Sequence, residues 1–193
     1  MTPQLARLQS ELAAVKGEAL ELVSGLRESQ FNWRPSPQKW SMAECLLHLN
    51  IVGDRYVRII EIALEAAKSR SFVARGVIGH GFFGKWILAN TEPPPKRRYK
   101  SPRGFTPSYG QPITAVLPTF LHLQDQLTLQ IEQSIGVDLA RVKVPAPVLP
   151  VRFNLLLTLE WIAAHERRHL WQARQVRQNP AFPQVYKDQI AQA

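Results

Sequence analysis

The run His165-Glu166-Arg167-Arg168-His169 places two imidazoles four residues apart. On a helix this spacing sets them one turn apart on one face, where they can share a metal ion. A third histidine, His48, lies one helical turn from Cys45 and from Val52 in a second apolar-faced segment. Three neutral imidazoles aimed into one helical core would form a trigonal nitrogen set. A divalent ion held there keeps at least one position for water or substrate. The competing reading is a group of core histidines, each hydrogen-bonded to its own partner. His80, in a glycine-rich stretch, and His122, off the apolar stripe of its helix, are read as ordinary histidines. The same run matches His-Glu-x-x-His, with Glu166 as the base of a zinc peptidase. Such enzymes usually take a third ligand downstream, yet Asp188 is the only acid after His169, and no substrate-aligning strand is visible.

The elements that must position these residues are marked by proline. Fifteen prolines fall in clusters and leave four proline-free stretches, 4–34, 38–92, 119–144 and 151–179. In the first, Leu5, Leu8, Leu12, Val15, Ala19, Leu22 and Leu26 alternate spacings of three and four, an amphipathic helix. The second opens with Ser41-x-x-Glu44, a capping box, and shows Cys45, His48, Leu49, Val52, Tyr56, Ile59 and Ala63 on one face. The third starts between Pro112 and Pro118, carries Leu117, Leu121, Leu127, Ile131 and Ile135, and stops at Gly136. The fourth runs from Asn154 to about Gln178, with Leu155, Ile162, His169 and Val176 at sevenfold spacing. No run alternates apolar and polar residues long enough to predict a strand. The pattern predicts an all-α four-helix bundle, one domain over residues 1–193. Residues 69–112 make a long loop insertion between helices two and three, with a short helix at Lys85–Ala89. A second connection spans 136–153, and 180–193 form a tail, a short helix or frayed.

Length and charge set the outer bounds. At 193 residues the chain can bury a conventional core without a disulfide or metal staple. Its single cysteine, Cys45, excludes an intramolecular disulfide and fits a reducing compartment. Charges recur through residues 1–26, which therefore read as neither signal peptide nor membrane span. The expected location is cytoplasmic, with no membrane partner. The formal charge of +9 invites a nucleic-acid reading. Five of the cations, however, stand in Lys96–Arg103, and no recognition helix, zinc finger or RNA-binding signature accompanies them. Lys96–Arg103 is read as a solvated basic loop, with a grip on an anionic cosubstrate as the alternative.

Two segments carry a family resemblance. Trp33-Arg34-Pro35-Ser36-Pro37-Gln38-Lys39-Trp40-Ser41-Met42-Ala43-Glu44-Cys45-Leu46-Leu47-His48-Leu49 resembles the first signature of the DinB-like (DinB/YfiT) superfamily. Ile162-Ala163-Ala164-His165-Glu166-Arg167-Arg168-His169-Leu170-Trp171-Gln172 is similar to that family's closing helix with His-x-x-x-His. The resemblance implies an up-down-down-up bundle in which His48, His165 and His169 bind a divalent metal, often nickel or zinc. It also implies frequent homodimers, and, among members with known activity, thiol-dependent S-transferases and isomerases using a low-molecular-weight thiol. The sequence departs from the family's His-Pro-x-x-Gly before the last helix, reading Val148-Leu149-Pro150-Val151-Arg152-Phe153-Asn154 instead.

The resulting expectation is a metal-dependent enzyme acting on a small molecule, a thiol-dependent S-transferase or a hydrolase-like activity. The alternative is a non-catalytic, metal-stabilised homodimer in which Phe82, Phe83 and Trp86 form a lid or a subunit contact. Glu166 is the catalytic candidate, able to orient an imidazole or relay a proton, or else a solvated surface carboxylate. Gln172 is expected beside the pocket. Glu44, one turn before His48, is expected either beside the pocket or, the favoured reading, as the cap of its helix, and Cys45 is expected to fill core.

Overall fold

In a computed structural model, residues 1–184 are described except Ser71, Arg75, Arg98, Tyr99 and 147–149. Arg98 of the basic run, Val148 and Leu149 of the second connection, and 185–193 of the tail lie outside the described residues.

Helix α1, Pro3–Val23, starts with Thr2 accepting the Leu5 amide and Pro3 in the first turn, and all of its expected stripe but Leu26 is fully buried. A single turn, α2 (Glu28–Phe31), seats the fully buried Phe31. Helix α3, Met42–Ser69, opens with the expected capping box: Glu44 N–H donates to Ser41 Oγ at 3.2 Å and Ser41 N–H to Glu44 Oε2 at 3.0 Å. Its buried face runs through Cys45, His48, Leu49, Val52 and Tyr56 and then through Ile60 and Leu64, leaving the expected Ile59 and Ala63 half-buried. A 3.6-residue period slips relative to a strict three–four count over so long a helix.

After α3 the connection contains α4, Phe82–Thr91, longer than the short helix expected there. Helix α5, Ile113–Gln133, begins after Pro112 and ends before Gly136, whose φ of 82° suits glycine. It carries Pro118 in its second turn. Pro118 and Thr114 are both exposed, so the carbonyl deprived of a partner faces water. The buried face of α5 is Val116, Phe120, Leu123, Leu127 and Ile131; the expected Leu117 and Leu121 are half-buried and Ile135 is exposed.

The expectation of no strands is corrected by a small antiparallel hairpin, β1 (Lys143–Pro145) and β2 (Arg152–Asn154), pairing Val144 with Phe153. Three-residue strands are too short to show alternation, and their register rests on the buried Val144 and Phe153. Asn154 then caps α6, Leu155–Arg177, its Oδ1 accepting the Leu157 amide at 2.8 Å. Among the described residues no helix is long and apolar enough to cross a membrane.

α3 packs on α5 and α6, and α1 packs on the same two helices. The core between them falls into two apolar clusters. One holds Leu8, Tyr56, Leu127 and Ile162; the other holds Leu22, Leu46, Phe120 and Leu170. Between these blocks, along α3, α5 and α6, lie the buried polar side chains His48, Asn50, Gln124, Glu166 and His169. A polar layer at such depth requires partners for every group it carries.

Glu44, in the block nearer Trp40, has one such partner in Arg34, which donates to both carboxylate oxygens, Nε to Oε2 at 2.6 Å. Arg34→Met should leave this buried carboxylate with the Ser41 amide alone and cost about 2 kcal/mol. Arg34 Met/Glu44 Gln together should recover most of the loss, as read by urea denaturation.

Candidate metal centre

The capping box that starts α3 places the site's first wall. Trp40, just before the cap, lies against His48 at 5.1 Å and against His169 at 5.8 Å between ring centroids. One turn into the helix, His48 points inward, and its Nδ1–H donates to the Phe105 carbonyl at 2.7 Å. A carbonyl only accepts, so the bond fixes the tautomer and leaves His48 Nε2 with its lone pair free.

α6 supplies the other two rings from successive turns. His165 Nε2 lies 3.4 Å from His48 Nε2, and the ring centroids of His165 and His169 are 4.6 Å apart. Trp161, one turn before His165, stacks on it at 4.8 Å and leans on Tyr56. The ligand atoms of His48, His165 and His169 all lie within 4.8 Å of one another, with His48 and His169 buried and His165 partly exposed. Arg167 and Arg168, between the two histidines in sequence, are engaged elsewhere. Arg167 pairs with Glu11 and Glu92, and Arg168 donates to the Asn90 and Arg97 carbonyls.

Electrostatics keeps the three rings neutral. Burial, then the neighbouring rings, holds His165 well below the usual histidine value. Burial, then His48 and Arg168, pushes His169 down to about 3, and burial lowers His48 against the opposing pull of the Phe105 carbonyl. Neutral imidazole is the form that ligates metal.

Two observations test whether a divalent ion suits these residues. Nitrogens bound at about 2.1 Å to one tetrahedral ion lie roughly 3.4 Å apart, the separation seen between His48 and His165. Moreover, His169 Nδ1 is buried without a hydrogen-bond partner. An all-imidazole set suits nickel, zinc and their neighbours. The cluster could hold a metal ion.

A family model described as the DinB superfamily matches residues 11–173. The chain belongs to the DinB superfamily. No curated protein and no solved structure gives a match. The DinB match takes in all of α3 and α5 and both histidines of α6.

Other positions in this DinB chain divide clearly. Gln172, three residues past His169, opposes the downward pull of burial on that ring. Cys45 is buried, with its thiol pushed up by burial, and behaves as core. The solvated alternative for Glu166 is overturned. It is no solvated carboxylate, being buried, and its Oε1 accepts from Gln124 Nε2 of α5 at 2.7 Å rather than from a histidine. Burial pushes its carboxyl up to about 7. A raised carboxyl destabilises the fold as pH climbs from the ordinary 4.5 towards 7, because only the unfolded chain ionises freely there. Glu166→Gln should therefore match the parent near pH 4 and exceed it by about 3 kcal/mol above pH 8, in urea melts at each pH.

His80 is likewise not a loose loop residue: its Nε2 bonds Glu160, which also takes Arg7 at 3.0 Å. His122 is exposed, as expected. Phe105 and Trp161 were missed. Phe105 acts through its backbone, which leaves no trace in sequence, whereas Trp161 stands four residues before His165 and could have been found by that spacing.

Proposed function

We propose that this chain is a metal-dependent enzyme in which His48, His165 and His169 hold one divalent ion, nickel or zinc, at the polar layer of a four-helix bundle. The observation carrying this reading is the convergence of three neutral imidazoles, one of them fixed from behind by the Phe105 carbonyl. The order in which the helices pass the two apolar clusters supports an up-down-down-up path: α1 and α6 traverse them in one sense, α3 and α5 in the other. The single helical domain and the 69–112 insertion belong to the same reading.

When bound, the ion supplies Lewis acidity that makes a thiol or a water nucleophilic at neutral pH. The chain's own residues do the rest. Phe105 holds His48 in the tautomer that turns Nε2 to the site. Trp40 and Trp161 exclude water along two sides, and the partly exposed His165 marks the edge from which a small molecule enters. Gln172 orients His169. We read Glu166, whose Oε1 is engaged by Gln124, as a supporting carboxylate and not a base, which sets this proposal apart from the zinc peptidase pattern. The reaction we favour is transfer to a low-molecular-weight thiol.

Elemental analysis of the purified protein should find stoichiometric nickel or zinc, and the metal-loaded protein should consume a thiol with an electrophilic cosubstrate. Absence of metal would end the reading. Metal without thiol consumption would favour the non-catalytic homodimer.

A further inference from the structure

The net charge of the chain is not spread over it. Residues 66–124 contain nine of the 24 Lys and Arg but only one of the 15 acids, Glu92. That acid is already paired with Arg167. The remainder of the chain is close to balanced. Within the basic stretch lies α4, whose inner side buries Gly84 and Ile87 while its outer side exposes large aromatics. Phe82 is 86% exposed, Phe83 51% and Trp86 50%. Lys85 stands exposed among them. The start of the basic run at Arg97 is tied to this helix, because Arg168 donates at once to the Asn90 carbonyl of α4 and to the Arg97 carbonyl. Lys96 and Arg97, both exposed, thus sit beside the last turn of α4, one turn from Trp86.

We propose that the outer face of α4, with the basic run that follows it, is a contact surface for a negatively charged lipid bilayer. Aromatic side chains prefer the level of the headgroups, and a helix with Phe and Trp outward beside Lys and Arg lies in that plane. Each cation near an anionic surface strengthens attachment by about fivefold. Two features favour lipid over the alternatives. Phe83 and Trp86 stack on each other, at 6.2 Å and 13° between planes, on a convex helix, leaving no slot between them for a nucleic-acid base. In a symmetric pair formed through this face, the same cations would be set against one another. A surface contact of this kind requires no spanning segment, which is what the N-terminal charges argue against.

The test is co-sedimentation of the full-length protein with vesicles of phosphatidylcholine alone or mixed with phosphatidylglycerol. The protein should pellet with the mixed vesicles only and be released by high salt. Phe82→Ser/Phe83→Ser/Trp86→Ser should weaken binding at least about tenfold with only a modest drop in thermal stability, and Phe82→Ser alone, at an 86% exposed side chain, should weaken binding with no drop. Lys96→Glu/Arg97→Glu/Lys100→Glu should abolish the preference for anionic vesicles. Equal binding to both vesicle types, or undiminished binding by the triple serine variant, overturns the proposal. So does a wild-type dimer that the serine variant dissociates without any vesicle binding, or binding to single-stranded DNA with none to vesicles.

Discussion

His169→Ala should reduce tightly held divalent metal from stoichiometric to near zero in the purified protein. The loss should exceed the about 10- to 100-fold penalty for removing a group that merely supports a ligand, because a ligand itself is gone. His169 is chosen because it is buried between Trp40 and the other two imidazoles and has no protein partner at Nδ1. If no metal bound there, alanine would exchange the orphaned nitrogen for a cavity, and added divalent metal would shift neither protein. The two cases therefore separate in one experiment. Metal at 100 times its dissociation constant should stabilise the wild type by about 2.7 kcal/mol and the variant by nothing. Retained metal and an undiminished thermal shift in the variant would remove His169 from the site.

The metal-free protein should lose stability steeply in mild acid. The folded state holds His169 at about 3 and His165 and His48 below the ordinary 6.5, so all three stay neutral in the fold while the unfolded chain takes up protons. A depressed folded value means that stability is complete above 6.5 and falls as pH drops from there towards 3. With more than one ring contributing, the loss should reach several kcal/mol. Urea midpoints of the metal-stripped protein at pH 7.5, 5.5 and 4.5 would read it. His48→Gln/His165→Gln/His169→Gln should flatten that limb. Because Glu166 gains stability over the same window, the decisive background is Glu166→Gln, and a constant midpoint there from pH 7.5 to 4.5 would contradict the buried, neutral arrangement. Metal should deepen the same dependence, since protons compete for its nitrogens.

The parts of the fold legible in sequence are those written in local spacing. Ser41 with Glu44, Asn154 ahead of the Leu155–Val176 row, and His165 with His169 each depend on residues within a few turns of one another, and helical geometry alone aligns them. Phase over long distances was less legible, as Ile60 and Leu64 displacing Ile59 and Ala63 demonstrate. Three other features had no local signal. Glu166 lies next to Arg167 in sequence and reads as solvated, but α5 brings Gln124 to it. His80 finds Glu160 eighty residues away, and His48 finds a backbone carbonyl. Partners drawn from different elements are settled by packing, and packing is what periodicity does not encode.

The anchoring of α6 also governs which kinds of sequence drift its lineage can tolerate. Asn154 belongs at once to the hairpin and to the cap, so the helix begins at a fixed angular origin. Each added residue advances a helix by about 100°, and one inserted anywhere between Asn154 and His165 would turn both rings away from His48. Substitutions along that stretch can be absorbed one at a time, whereas length changes cannot. Insertions and deletions among functional descendants of this chain should therefore collect outside residues 154–169.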